Sequence, residues 1–185
     1  MTKHDMVFKP NLSPHDIFDL GSFGGTYWRP IKSSIINKNL KNIHKQYKFL
    51  EDIPETKLTR EIYDKTENKY GVKVGTSLEY WESKNWINAK HPYGWVHWYC
   101  DYSGGLTSDD DERQIKRWQK IAGPKGRFRL FLISLIEKGS GKWNDENISP
   151  KIRQTLQHWG YKLTKKDYDT EIRRRKKQTR KTKLK

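Results

Sequence analysis

Between Lys125 and Gly139 the chain reads KGRFRLFLISLIEKG. After its first turn, a helix over this span is apolar almost all round, with Phe128, Leu130, Phe131, Leu132, Ile133, Leu135 and Ile136 spread over its circumference. A surface helix shows one apolar stripe, so a helix without a polar face has to be covered by other parts of the chain. This segment is therefore the expected centre of the core.

Two flanking helices can cover it. Ser108 is placed to cap a helix over 109–122, with Asp111 three residues on in a capping-box relation. The acids Asp109 to Glu112 suit the positive end of the dipole, and Gly123-Pro124 ends the helix. Ile115, Trp118, Ile121 and Ala122 share one side, and Arg113, Lys116, Arg117 and Lys120 the other. A further helix runs from Ser149-Pro150 to Gly160. Its inner stripe is Ile152, Leu156 and Trp159, which leaves Lys151, Arg153, Gln157 and His158 mostly outside.

The N-terminal half carries weaker signals. Residues 1–12 read as a flexible arm, and Ser13-Pro14 opens a short helix that Gly21 ends. The run SFGGTYWRPI at 22–31 reads as extended, with Gly24-Gly25 permitting a bulge or close backbone approach. Ile36, Leu40, Ile43, Tyr47 and Leu50 predict a helix over 33–50, and Leu58 and Ile62 a second near 56–68. Residues 70–78 alternate as a strand does, and the two extended runs would pair into a small sheet. After Leu163 the pattern fades into a basic tail, 164–185, disordered or partly helical and without a core face. The expected fold class is α+β: one mainly α domain over 13–163, a small β element and a basic C-terminal tail.

Charge narrows the function. The 185 residues carry a net charge of +16, and aromatics make up 13%. Disordered basic chains are poor in aromatics, so this composition belongs to a folded basic protein. Residues 173–185 hold nine Lys or Arg; the remainder has 29 basic and 22 acidic residues, still net +7. Both parts attract phosphate backbones or acidic surfaces. Abundant lysine as a matter of composition is the plainer explanation of the core's excess. Cys100 is the one cysteine, which excludes a disulfide framework and fits a reducing, intracellular compartment. No apolar run approaches 18 residues, so no membrane partner is expected. The run Arg173-Arg174-Arg175-Lys176-Lys177 has the character of a nuclear localisation signal or a nucleic-acid patch, and equally of a solubilising tail.

The motifs divide by specificity. The helix at 109–122, the turn GPKG and the helix from 125 have helix-turn-helix spacing, but the second helix is too apolar to read a groove. Its first turn still offers Lys125, Arg127 and Arg129. Trp81, Trp86, Tyr93, Trp95, Trp98, Tyr99 and Tyr102 can stack on unpaired bases, although packing is the commoner use of such rings. His91, His97 and Cys100 lack the further ligands that zinc needs, and a lone cysteine among rings is ordinarily inert. Asp109 to Glu112, with Glu79, Glu82 and Lys84, offer the raw material of a metal-dependent nuclease, but capping and chance explain them more simply. There is no GxxxxGK[ST], GxGxxG after a strand, HExxH or GxSxG.

GGTYWRPI at 24–31, PYGWVHWYC at 92–100, DDERQIKRW at 110–118, GPKGRFR at 123–129 and SPKIRQTLQHWGY at 149–161 together resemble an uncharacterised family of eukaryotic and large-DNA-virus proteins. The resemblance spans about residues 20–163. In that family Asp often stands at the position of His91 and Arg at that of Asp101. The resemblance implies one intact domain over the span and carries no activity.

The leading expectation is a non-enzymatic nucleic-acid-binding protein with DNA or RNA as partner, in a nuclear or viral replication compartment. Its contacts would be Arg113, Lys116, Arg117, Lys120, Lys125, Arg127 and Arg129, joined by Arg173, Arg174, Arg175, Lys176 and Lys177 of the tail. No cofactor or metal is expected on this reading. A metal-dependent nuclease or other nucleic-acid-processing enzyme is the second reading. A protein-interaction module with an aromatic groove is the third.

Overall fold

The computed structural model describes residues 8–183. The architecture is mainly α with one small antiparallel sheet, as the residue pattern predicts. At its centre lies α5 (Arg127–Lys138), with Leu132, Ile133 and Ile136 wholly buried. Three helices pack on it: α4 (Asp111–Ile121), α6 (Pro150–His158) and α7 (Lys165–Lys183). Three neighbours do not close the full circumference, and Phe131 remains 53% exposed.

Before these come α1 (Pro14–Asp19), α2 (Leu78–Ser83) and α3 (Trp95–Ser103). A full capping box starts α1: Asp16 accepts the Ser13 N–H at 2.7 Å, and Ser13 Oγ accepts the Asp16 N–H at 3.1 Å. All of Trp95 to Cys100 is buried, so the aromatic cluster is largely packing.

The N-terminal half departs from the predicted pattern. Instead of a helix over 33–50 there is a hairpin, β1 (Ile31–Ser33) against β2 (Lys38–Leu40), followed by two short 3-10 turns. Asn37 and Asn42 adopt left-handed φ of 50° and 59°, a conformation that ends any right-handed helix and that Asn tolerates. The segment at 56–68 also makes only 3-10 turns, at 55–57 and 65–67, and Ile62 is 83% exposed. The segment's backbone is drawn instead to 21–25: Arg60 N–H bonds Gly25 O at 2.9 Å, Asp64 N–H bonds Gly24 O at 3.1 Å, and Lys69 N–H bonds Gly21 O at 3.0 Å. Two glycines permit this approach. A Cβ would lie 1.8 Å from Glu67 O at Gly21 and 2.2 Å from Thr56 O at Gly25. Residues 70–78 form no strand; Ser77 caps α2.

The polar side of α6 is not outside. Gln154, Gln157 and His158 are buried against the N-terminal half. Arg153 is buried with bonds to Ile148 O at 2.9 Å and Trp143 O at 3.0 Å, and Lys151 alone stays exposed as predicted. Gln157 Nε2 donates to Gly21 O at 2.8 Å and to Ser22 Oγ at 2.9 Å, while Gln154 Oε1 accepts the Tyr70 N–H at 3.0 Å. Irregular backbone needs side-chain partners once buried, and this face of α6 supplies them.

The two ends of the chain are also held. Of the predicted loose arm, residues 1–7 lie outside the described residues, but Phe8 inserts edge-on among Trp98, Tyr99, Tyr102 and Trp118. Asn11 and Leu12 donate their N–H groups to Gly160 O, each at 3.0 Å. The predicted tail does find a docking face, through Tyr168 and Ile172 packed against the core and through charge. Arg175 bonds Glu137 at 2.9 Å and Leu130 O at 3.2 Å on α5, and Glu171 is buried beneath Arg174 and Arg175. Leu184 and Lys185 lie outside the described residues. Among the described residues no helix is long and apolar enough to cross a membrane.

Candidate nucleic-acid-binding cleft

The predicted basic residues divide into paired and unpaired groups. Arg113 forks onto Asp110, with Nη2 to Oδ2 at 2.8 Å, and Gln114 Nε2 bonds the same carboxylate at 2.8 Å. Burial opposes the Asp110 charge, but these hydrogen bonds outweigh it and hold the carboxyl below its ordinary range. Lys116 pairs with Glu112. Arg129 is buried, bonded to Asp167 at 2.7 Å and lying over the Tyr161 ring at 4.9 Å. Arg174 and Arg175 share Glu171. Five of the twelve charges are thus committed to carboxylates. Lys120, Lys125, Arg127, Arg173, Lys176 and Lys177 are exposed and have no ion-pair partner among the described residues.

Arg117 is the exception on α4. It is half-buried and has no carboxylate within ion-pair distance among the described residues. Its Nη1 donates to Gln114 Oε1 at 2.9 Å and to Trp86 O at 3.3 Å, and its guanidinium lies 5.4 Å from the Trp159 ring centroid. Burial, and then neighbouring Arg113, pull its pKa down to about 10. It stays charged at neutral pH. Buried charges are ordinarily paired, so an unpaired guanidinium invites an anion.

That guanidinium lines a cleft. One compartment, of about 440 Å³, is lined by Arg117, Ile121, Arg127 and Phe128 together with Tyr80, Trp81, Trp86 and Trp95. A second, of about 550 Å³, continues past Arg29, Tyr63, Lys73 and Tyr93. Phe23, Tyr27, Val74, Gly75, Thr76, Tyr80, Trp81 and His158 border both. At the rim Tyr80 and Trp86 meet edge to face at 5.8 Å and stay 42% and 43% exposed. Arg127 rests over Phe128 at 5.1 Å. Rings with cations at their edges can stack a base and hold a phosphate.

Of the cleft residues, the sequence pattern points to Arg117, Arg127, Trp81, Trp86, Tyr93 and Trp95. It misses Phe23, Tyr27, Arg29, Lys73, Tyr80 and His158, which reach the cleft from irregular segments, from the short helix α2 (Tyr80) or from the polar side of α6 (His158). The run SFGGTYWRPI at 22–31, dense in rings beside Arg29, is the signal that could have marked the first three.

The other candidate chemistries do not assemble. Asp109 pairs with Lys90 at 2.6 Å, and Asp111 accepts the Trp98 Nε1–H at 2.8 Å and the Ser108 N–H at 3.0 Å. Glu82 holds Ser33 and Ser34 of the hairpin. Each acid faces a different partner, which is not the convergence a metal nuclease requires. Cys100 is wholly buried and its thiol is pushed well up by that burial. His91 lies 3.3 Å from Asp101, which also accepts the Tyr47 hydroxyl at 2.6 Å. Among the described residues no three His, Cys, Asp or Glu come together as a metal site. The α4–α5 pair does not present a polar recognition helix: α5 packs against α4, α6 and α7, and the side chain exposed in its middle is Phe131.

No protein-family model, curated protein or solved structure matches this chain.

Proposed function

We propose that this protein binds nucleic acid without cleaving it, by taking unpaired bases into the aromatic cleft. Phosphates then meet Arg117 and Arg127, and Lys120, Lys125 and the exposed cations of α7 add non-specific attraction. The observation that carries this reading is Arg117, a partly buried guanidinium without a carboxylate, at the edge of a cleft walled by rings. The net charge of +16 supports it more weakly.

The test is a binding titration of the full chain, with a single strand of about 12 nucleotides and with the matching duplex, at rising salt. The single strand should bind more tightly than the duplex. Replacing Arg117 and Arg127 together by Met should weaken single-strand binding about tenfold or more. Equal affinity for both forms, or binding untouched by the double substitution, overturns the cleft as the site.

A peptide ligand is the second reading, favoured by the half-exposed ring pair Tyr80–Trp86. Aromatic grooves also receive proline-rich segments. A partner retained after nuclease treatment and in high salt would replace the nucleic-acid reading with this one.

A further inference from the structure

His158 ends α6 and borders both compartments of the cleft. Its ring stacks on Phe23 at 3.9 Å between centroids. Two donors converge on its Nε2: the Phe23 N–H at 3.2 Å and the Gln154 amide nitrogen at 3.1 Å. The Gln154 orientation is fixed, because its Oε1 accepts the Tyr70 N–H at 3.0 Å and its Nε2 also donates to Gly21 O at 3.2 Å. Nε2 is therefore an acceptor, and a neutral imidazole must then carry its proton on Nδ1. Burial keeps the ring neutral, with its pKa near 3. Nδ1 has no hydrogen-bond partner among the described residues. The fold has locked one tautomer and left one N–H donor on a ring that faces the cleft.

We infer that the cleft takes a single unpaired nucleotide of a strand, its phosphate on Arg117 and Arg127 and its base among the rings, with His158 Nδ1–H donating to an acceptor on the base edge. This rests on the nucleic-acid reading above and adds that the base itself is read. Compartments of about 440 and 550 Å³ suit one nucleotide and exclude a duplex, in which the bases stay paired and stacked. A donor-only group rewards a base acceptor and gives nothing to an abasic unit or to a C–H in the acceptor's place.

The test changes the ligand and leaves the protein intact. Oligonucleotides of equal length and charge carry either one central base among abasic units or abasic units throughout. The one-base strands should bind at least about fivefold more tightly. Replacing ring-nitrogen and carbonyl acceptors one at a time should remove that gain for one acceptor. The same replacement should abolish a ligand-induced shift of the His158 Nδ1–H resonance. Equal binding of one-base and abasic strands overturns base reading while nucleic-acid binding stands. Indifference to every acceptor, with an unmoved His158 resonance, overturns the His158 assignment. If a free nucleoside monophosphate competes as well as the one-base strand, the ligand is a soluble nucleotide and the strand assignment falls. If no oligonucleotide binds at low salt, the nucleic-acid reading fails as well.

Discussion

Arg117 and Trp159 are bound face to cation, with the guanidinium 5.4 Å from the ring centroid, and no carboxylate intervenes on that side of α4. A charge placed for stability would be expected to have an acid beside it, as Arg113 and Arg129 do. Arg117→Met keeps the length and apolar contact of the side chain and removes the desolvated charge. Its melting temperature should match or slightly exceed that of the parent, because exchanging a buried charge for a similar apolar volume is often neutral or favourable. Single-strand affinity should fall, and the salt slope should shrink by about 1. A melting temperature lower by more than about 8 °C would make Arg117 a structural residue.

Gly21 to Ala is expected to be among the most damaging single substitutions in the chain. The residue has φ +88°, and a Cβ would lie 1.8 Å from Glu67 O. Its own carbonyl accepts from Lys69 N–H, Gln154 and Gln157. Strain and clash together should cost more than about 3 kcal/mol. Chemical denaturation gives the value, and a loss under about 1 kcal/mol would mean this junction can relax.

Acid should destabilise the fold before any carboxylate is protonated. Burial lowers His158 and His97 to about 3, with the nearby His91 adding to the effect at His97. Their folded pKa values lie below the unfolded value of about 6.5, so the unfolded chain takes up protons first. The stability due to keeping them neutral is complete above about pH 6.5 and is lost progressively as pH falls toward 3. Between pH 7 and pH 5 each should remove about 2 kcal/mol. Denaturation midpoints measured across that range check it, and a flat profile would contradict the burial of both rings.

Asp167 to Ala should strand Arg129. The pair is 2.7 Å apart, with the Arg129 side chain buried and Tyr161 hydroxyl also bonded to Asp167 at 2.8 Å. Leaving a buried guanidinium without its acid costs about 3 kcal/mol. Cutting the chain after Leu163 should therefore destabilise the domain, whereas cutting after Arg175 keeps Asp167, Glu171 and the bonds to α5. The shorter deletion should reduce non-specific binding and leave the melting temperature within about 3 °C. A large drop would show that the exposed end of α7 also stabilises the core.

The helices α4, α5 and α6 were legible because they have clear apolar periods and punctuated ends, Gly123-Pro124, Gly139, Pro150 and Gly160, although α4 starts at Asp111 with Asp110, not Ser108, at its cap position. The residues from 33 to 69 misled because 3-10 turns also bring apolar residues together at spacings of three. Tyr47 and Leu50 are buried as a helix would bury them, yet Asn37 and Asn42 break the chain in left-handed conformations. Asn was the readable warning in that stretch. The site was half legible. Arg117 and Arg127 stand out as charge, but nothing in their spacing tells that Arg113, Lys116 and Arg129 would be neutralised while they were not. His158 was hidden for another reason: on a wheel it falls on the polar side of α6, and that side is buried by backbone that arrives from far away in sequence.

The bonds from Gly160 to Asn11 and Leu12, and from Gln154, Gln157 and His158 to residues 21–23, set the order in which this molecule can be made. A ribosome delivers the first third of the chain long before residues 150–163 emerge. Until then Gly21 O has the Lys69 N–H but not the Gln154 and Gln157 amides, and the Phe23 N–H lacks its His158 acceptor. The junction around residues 21–23 is therefore completed only when α6 is available to pack on it, a long-range closure across more than 130 residues of chain.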